Sequence, residues 1–142
     1  MSRRYIRKAL RDRVATQAGY RCGYCRTSSF LIGMALEVDH IIPESFGGQT
    51  EEENLWLACS ACNGHKSNRI AAVDPASGDL VRLYDPRRQT WSEHFAWNDS
   101  GDLILGLTAT GRATVVALDL NRPALMYARY LWSEWGWHPP GD

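Results

Sequence analysis

The pattern of apolar and polar positions divides the chain into unlike halves. Ile6, Leu10, Val14 and Ala18 recur at helical spacing with Arg and Lys between them, which predicts an amphipathic helix over residues 5–18. Gly19 follows as a stop signal, since glycine tolerates the left-handed backbone that ends a helix. A tight turn then carries Cys22 and Cys25. Residues 36–42, LEVDHII, are rich in strand formers and broken only by Glu37, Asp39 and His40; Pro43 stops the strand they predict. After a Gly47-Gly48 turn and the acidic run Glu51-Glu52-Glu53, the stretch Asn54-Leu55-Trp56-Leu57 reads as a second short strand. Cys59 and Cys62 lead into residues 63–69, where a short helix is expected.

Beyond residue 70 the pattern changes. Asp74-Pro75-Ala76-Ser77-Gly78-Asp79 is a turn cluster, and residues 80–84 alternate like a strand. Residues 91–97 and 103–108 predict two further strands, joined at Asn98-Asp99-Ser100-Gly101. A helix is expected over residues 111–120. Another should begin at Arg122-Pro123, with Asn121 as its cap and proline in the first turn. The aromatics of this half, Trp91, Phe95, Trp97 and Trp137 among them, are read as core rather than as base-stacking groups, and His94 and His138 as packing or surface residues. Arg112, beside Gly111, is read as an exposed turn arginine.

Composition sharpens this only in places. Across 142 residues, 44% are hydrophobic, enough for a buried core and against global disorder. No apolar run approaches the length of a membrane span, and the basic start lacks the apolar core of a secretory signal, so a cytoplasmic protein is expected. The net charge is zero, yet residues 1–30 hold eight Lys or Arg, Arg3 and Arg4 included, against the single acid Asp12. From residue 71 onward, six basic residues face nine acidic ones. A polyanion would prefer the N-terminal half.

All the cysteines fall into two Cys-x-x-Cys pairs, Cys22/Cys25 and Cys59/Cys62. Paired knuckles suit tetrahedral zinc, because four thiolates close a structural site with no open position. Disulfides are the alternative use, disfavoured in a reducing compartment. A redox pair would need one such motif beside a βαβ pattern. The gap from Cys25 to Cys59 exceeds what a simple ribbon needs, so something else is built inside it.

In and just past that gap lie Asp39, His40, Asn54, Asn63, His65 and Lys66. A neutral imidazole at the end of a stiff strand can take a proton from water near pH 7. Hard oxygen donors such as Asp39 and the Asn63 amide suit a divalent ion that neutralises phosphate. The ordered string Cys22-x-x-Cys25, Val38-Asp39-His40-Ile41-Ile42-Pro43, Gly47-Gly48, Asn54-Leu55, Cys59-x-x-Cys62-Asn63 and Lys66 resembles the signature of HNH endonucleases, the ββα-metal nucleases, in their four-cysteine zinc-containing form. The resemblance covers residues 22–69.

It implies a hairpin and a helix gripping one Mg²⁺ or Mn²⁺ ion. His40 would be the general base, Asp39 and Asn63 the ligands, and Asn54 the residue that holds the hairpin loop and helps orient His40. Asn63 stands where the family has a final His or, in a common variant, Asn; His65 is the alternative ligand. The fold expected is α+β: a basic amphipathic helix (residues 1–19), an HNH core stapled by Cys₄ zinc (20–70), and a C-terminal hairpin-and-helices extension (71–142) packed on it as one unit. The function expected is metal-dependent cleavage of DNA, leaving 5′-phosphates, with double-stranded DNA as the partner and no membrane partner. Arg7, Lys8, Arg11, Lys66 and Arg69 are the expected backbone contacts. The rival reading is a non-catalytic zinc module that binds nucleic acid or protein.

Overall fold

The computed structural model describes residues 5–141, so Arg3 and Arg4 of the basic start lie outside it. The chain divides into two compact units. The first takes the chain up to Ile70 together with Asp85–Arg88; the second takes Ala71–Tyr84 and everything from Gln89 onward. Helices alternate with two-stranded antiparallel sheets, an α+β arrangement.

In the first unit, α1 spans Lys8–Gln17, shorter at its start than the apolar spacing predicts. Val14 and Ala18 of the apolar stripe are buried, whereas Ile6 and Leu10 are only half-buried. Gly19 adopts φ +63°, the left-handed conformation expected just past a helix end. A one-turn helix α2, Ser29–Ile32, was not foreseen; Ser28 caps it by accepting from the Phe30 N–H. Strands β1 (Glu37–His40) and β2 (Leu55–Ala58) pair antiparallel, with Asp39 opposite Trp56 and His40 opposite Leu55. Asn54 therefore falls just before the second strand, in a 3-10 turn, rather than inside it.

The loop between these strands closes tightly. A Cβ on Gly48 would lie 1.7 Å from the Ile42 carbonyl oxygen, so only glycine fits. Helix α3, Ser60–Lys66, starts before the expected position because the Cys59 sulfur itself caps it, accepting from the Cys62 N–H. The returning segment Asp85–Arg88 is tied to β2: the Arg87 guanidinium donates to the Leu55 carbonyl at 2.9 and 3.2 Å and lies over the Trp56 ring.

In the second unit, β3 (Ala71–Val73) pairs with β4 (Leu80–Arg82), and β5 (Phe95–Trp97) with β6 (Ile104–Gly106). The strand expected over residues 91–97 is half helix: α4 covers Trp91–His94 before β5 begins. The four-residue spacing that brings Trp91 to within 5.1 Å of Phe95 suits a helical turn as well as alternation suits a strand. Helix α5, Ala109–Ala117, begins ahead of Gly111 because the Thr108 side chain caps it through the Gly111 N–H. Helix α6, Pro123–Glu134, has proline in its first turn, but Arg122 rather than Asn121 occupies the cap. The Asn121 amide is engaged elsewhere, bonding both the N–H and the carbonyl of Ile104.

Arg112 is not an exposed turn residue. It grips Asp74 with two hydrogen bonds of 2.9 Å, and Asp74 is fully buried at the start of the turn that joins β3 to β4. The Arg112 guanidinium and the Ser77 hydroxyl hold the Asp74 carboxyl well below its ordinary value. A carboxylate lowered on folding contributes stability that is present at neutral pH and is lost as acid protonates it. The melting temperature of the wild type should therefore exceed that of Asp74→Asn at pH 7, and the gap should narrow as pH falls below about 4, where free carboxylates protonate. A gap unchanged down to pH 2 would remove the ion pair from the stability of this unit.

Candidate metal centres and active site

The two knuckles converge. The sulfur atoms of Cys22, Cys25, Cys59 and Cys62 all lie within 4.8 Å of one another, and all four residues are buried. The Cys25 and Cys59 sulfurs are 3.7 Å apart, too far for a disulfide. A tetrahedron with metal–sulfur bonds of about 2.3 Å has edges of about 3.8 Å, so the cage fits zinc. Burial pushes the Cys22 thiol up, while hydrogen bonds from Cys22 and its neighbours pull Cys25 down; four crowded sulfurs compete for protons that a divalent cation would displace. Among the described residues this is the one group of three or more His, Cys, Asp or Glu close enough to share an ion.

The sulfur cage places the hairpin. The Gly23 N–H donates to the Leu57 carbonyl at 2.8 Å, joining the first knuckle to β2, and the second knuckle runs directly into α3. Strand alternation then sorts β1 into two faces. Glu37 and Asp39 share one face, which meets Asn63 and Lys66, residues a single helical turn apart on α3. Asn63 Nδ2 donates to Glu37 Oε1 at 2.8 Å. Lys66 Nζ lies 3.3 Å from Asp39 Oδ1 and donates to the His40 carbonyl at 2.9 Å. The Tyr24 hydroxyl, from between the first two cysteines, donates to Asp39 Oδ2 at 3.0 Å. Burial lifts the Asp39 carboxyl above its ordinary value, with the neighbouring Lys66 charge pulling the other way.

The His40 side chain belongs to a second, more open group and is 19% exposed. Its Nε2 lies 2.9 Å from Thr50 Oγ1 and 3.3 Å from Glu44 Oε1. Thr50 donates its own hydrogen to Glu44 at 3.5 Å, which leaves its lone pairs to accept from Nε2–H. In this pattern the imidazole donates through Nε2–H to the Thr50 hydroxyl. Asn54 holds the loop that carries these partners. Its Oδ1 accepts from the Ile42 N–H at 2.8 Å, and its Nδ2 donates to the Ile42 and Gln49 carbonyls at 3.0 and 2.9 Å.

Residues 22–69 match the HNH endonuclease family model. No curated protein and no solved structure matches the chain. The HNH segment contains both knuckles, the hairpin and α3, and so includes every group described in this subsection.

Several residues fall elsewhere than sequence spacing suggests. Lys66 is 2% exposed, which takes it off the surface where a phosphate contact would sit. Arg69 caps α3, donating to the His65 carbonyl at 2.6 Å, and His65 itself is exposed near the helix end. Arg7, Lys8 and Arg11 are exposed, with Lys8 paired to Asp12 at 2.7 Å. Tyr24, Glu37, Glu44 and Thr50 escaped sequence reasoning. Glu37 was the most accessible of these, because a residue two before Asp39 on a strand must share its face.

Replacing Cys59 by Ser should lower bound zinc below one equivalent and unfold the HNH segment, since structural zinc contributes apparent binding energies of about 10 kcal/mol or more. Metal quantification alongside circular dichroism checks this; a folded mutant lacking zinc would refute the clamp. Asn54→Ala should cost about 1–3 kcal/mol in denaturant unfolding, because the buried Asn54 amide makes three hydrogen bonds to the Ile42 and Gln49 backbone that alanine cannot replace.

Proposed function

We propose that the HNH segment is a metal-dependent endonuclease that hydrolyses DNA phosphodiester bonds, with His40 as general base. The observation that carries this reading is the hydrogen-bond chain Glu44–Thr50–His40, which holds a partly exposed imidazole through Nε2. A satisfied structural histidine would have both nitrogens bonded and would be buried.

The other face of β1 is rich in oxygen donors: the Glu37 carboxylate is bonded to the Asn63 amide, and the Asp39 carboxylate lies two residues further along the same face of the strand. Hard donors of this kind fit Mg²⁺ or Mn²⁺ rather than a soft-ligand metal. Asp39 and Asn63 would hold the ion, which when bound supplies charge neutralisation at the scissile phosphate and at the departing 3′ oxygen. His40 accepts the proton of the attacking water as the new phosphorus–oxygen bond forms and the bond to the 3′ oxygen breaks, leaving a 5′-phosphate. Glu44 and Thr50 stabilise the imidazolium that results. Asn54 acts one step further back, fixing the loop on which Glu44 and Thr50 are carried.

Double-stranded DNA is the proposed partner. Arg7, Lys8 and Arg11 lie exposed on or beside α1 and would meet backbone phosphates, a contact that gives salt-dependent affinity and little sequence information. In this reading zinc at the four cysteines is structural and takes no part in the chemistry.

His40→Ala should reduce nicking of supercoiled plasmid in Mg²⁺ or Mn²⁺ by roughly 10²–10⁴-fold. Its zinc content and thermal melting should match the wild type. A mutant as active as its parent would remove His40 from the mechanism. A wild-type protein that retains DNA but never cuts it, with either metal, would favour the non-catalytic zinc module instead.

A further inference from the structure

Asp39 already has a cation. Its side chain is 5% exposed and that of Lys66 is 2% exposed, and their charged atoms lie 3.3 Å apart. The other carboxylate oxygen accepts from the fully buried Tyr24 hydroxyl. Lys66 is also held by the His40 carbonyl at 2.9 Å, so its ammonium has a defined seat in the protein interior. Beside it, Glu37 accepts from Asn63 Nδ2. A carboxylate can only accept, so it turns the NH₂ of Asn63 toward itself and leaves the amide oxygen for another partner. The face thus carries two carboxylates, an amide oxygen and one ammonium, with the ammonium against Asp39.

We infer that Lys66 is a resident cation, and that a divalent ion binding at Asp39 must displace its ammonium. This rests on the proposed role of Asp39 as a ligand. An ammonium and a divalent ion that share one buried carboxylate repel each other at short range, where water screens them poorly. Burying Asp39 without any partner is costly, so the lysine keeps the ion-free site folded. The same lysine then lowers the apparent affinity for the divalent ion, because its release is part of the binding equilibrium. Lys66 is the last residue of α3, and its flexible four-carbon stem lets the ammonium withdraw without unwinding the helix. Its role is to set the ion concentration at which the site loads.

Lysine composition makes this testable in the wild type, since Lys8 and Lys66 are the only lysines in the chain. In the zinc-loaded full chain labelled with ¹³C and ¹⁵N in lysine, the buried Lys66 should give a side-chain signal distinct from that of Lys8, which is 78% exposed. Titration with Mg²⁺ should move the Lys66 signal toward that of Lys8, with a midpoint equal to the dissociation constant from calorimetry. Lys66→Met should bind Mg²⁺ at least tenfold more tightly, and Asp39→Asn should lose binding. If Mg²⁺ binds in an Asp39-dependent manner while the Lys66 signal stays fixed, the displacement is wrong and the nuclease reading stands. The titration decides this even if Lys66→Met does not fold. If no Asp39-dependent binding is found, the metal assignment in the proposed function falls, and the displacement falls with it.

Discussion

Convergence of four sulfurs at one point is the constraint on which the HNH segment depends. The two knuckles lie more than thirty residues apart in sequence, yet their sulfurs all fall within 4.8 Å of each other. Holding them there closes the intervening loop at both ends and removes most of the freedom of what lies between. A hairpin of two four-residue strands would be marginal alone. Here it is anchored by Gly23 to β2 on one side and by α3, capped through Cys59 itself, on the other. The same atoms serve as cage and as helix cap, so cage closure and helix initiation are coupled.

Once the hairpin is held, the period-two geometry of β1 separates two kinds of chemistry carried by adjacent residues. Asp39 points into a buried, charged face shared with Glu37, Asn63, Lys66 and Tyr24. His40 points to a more open group with Thr50 and Glu44. Burial strengthens the electrostatics on the first face and raises the cost of any unpaired charge there. Partial exposure of the second lets water reach an imidazole. Lys66 reaches His40 through its backbone carbonyl, not through its ring.

The second unit solves its packing problem without sulfur. Arg129 is fully buried, donates to the Asp102 and Leu120 carbonyls, and lies 5.2 Å from the Trp97 ring centre. His138 donates through Nε2–H to the Gly101 carbonyl at 2.8 Å and packs edge-on against Trp97 at 4.4 Å. Arg112, itself half-buried, pairs with the fully buried Asp74. Each buried charge is matched by several directed bonds, as burial of ionic groups demands. A Cβ on Gly111 would lie 2.0 Å from the His94 carbonyl oxygen, so α5 approaches that backbone as closely as glycine permits.

What was legible in the sequence is what short-range spacing controls. The Cys-x-x-Cys pairs, the Pro43 stop, the Gly47-Gly48 turn, Pro123 at a helix start and the α1 stripe around Val14 each act within a few residues of themselves. Their physical causes are local sterics, capping and ligand spacing. The tertiary structure alone decided partners distant in the chain. Asn121 reads as a helix cap by its neighbours but bonds Ile104, and Arg112 reads as exposed but meets Asp74, 38 positions away. Lys66 carries a charge that sequence assigns to the surface, and only the meeting of α3 with β1 shows that it is buried against Asp39. A residue type states which bonds a side chain can make; the fold selects among them, because desolvation drives buried polar groups to take a partner that lies within reach.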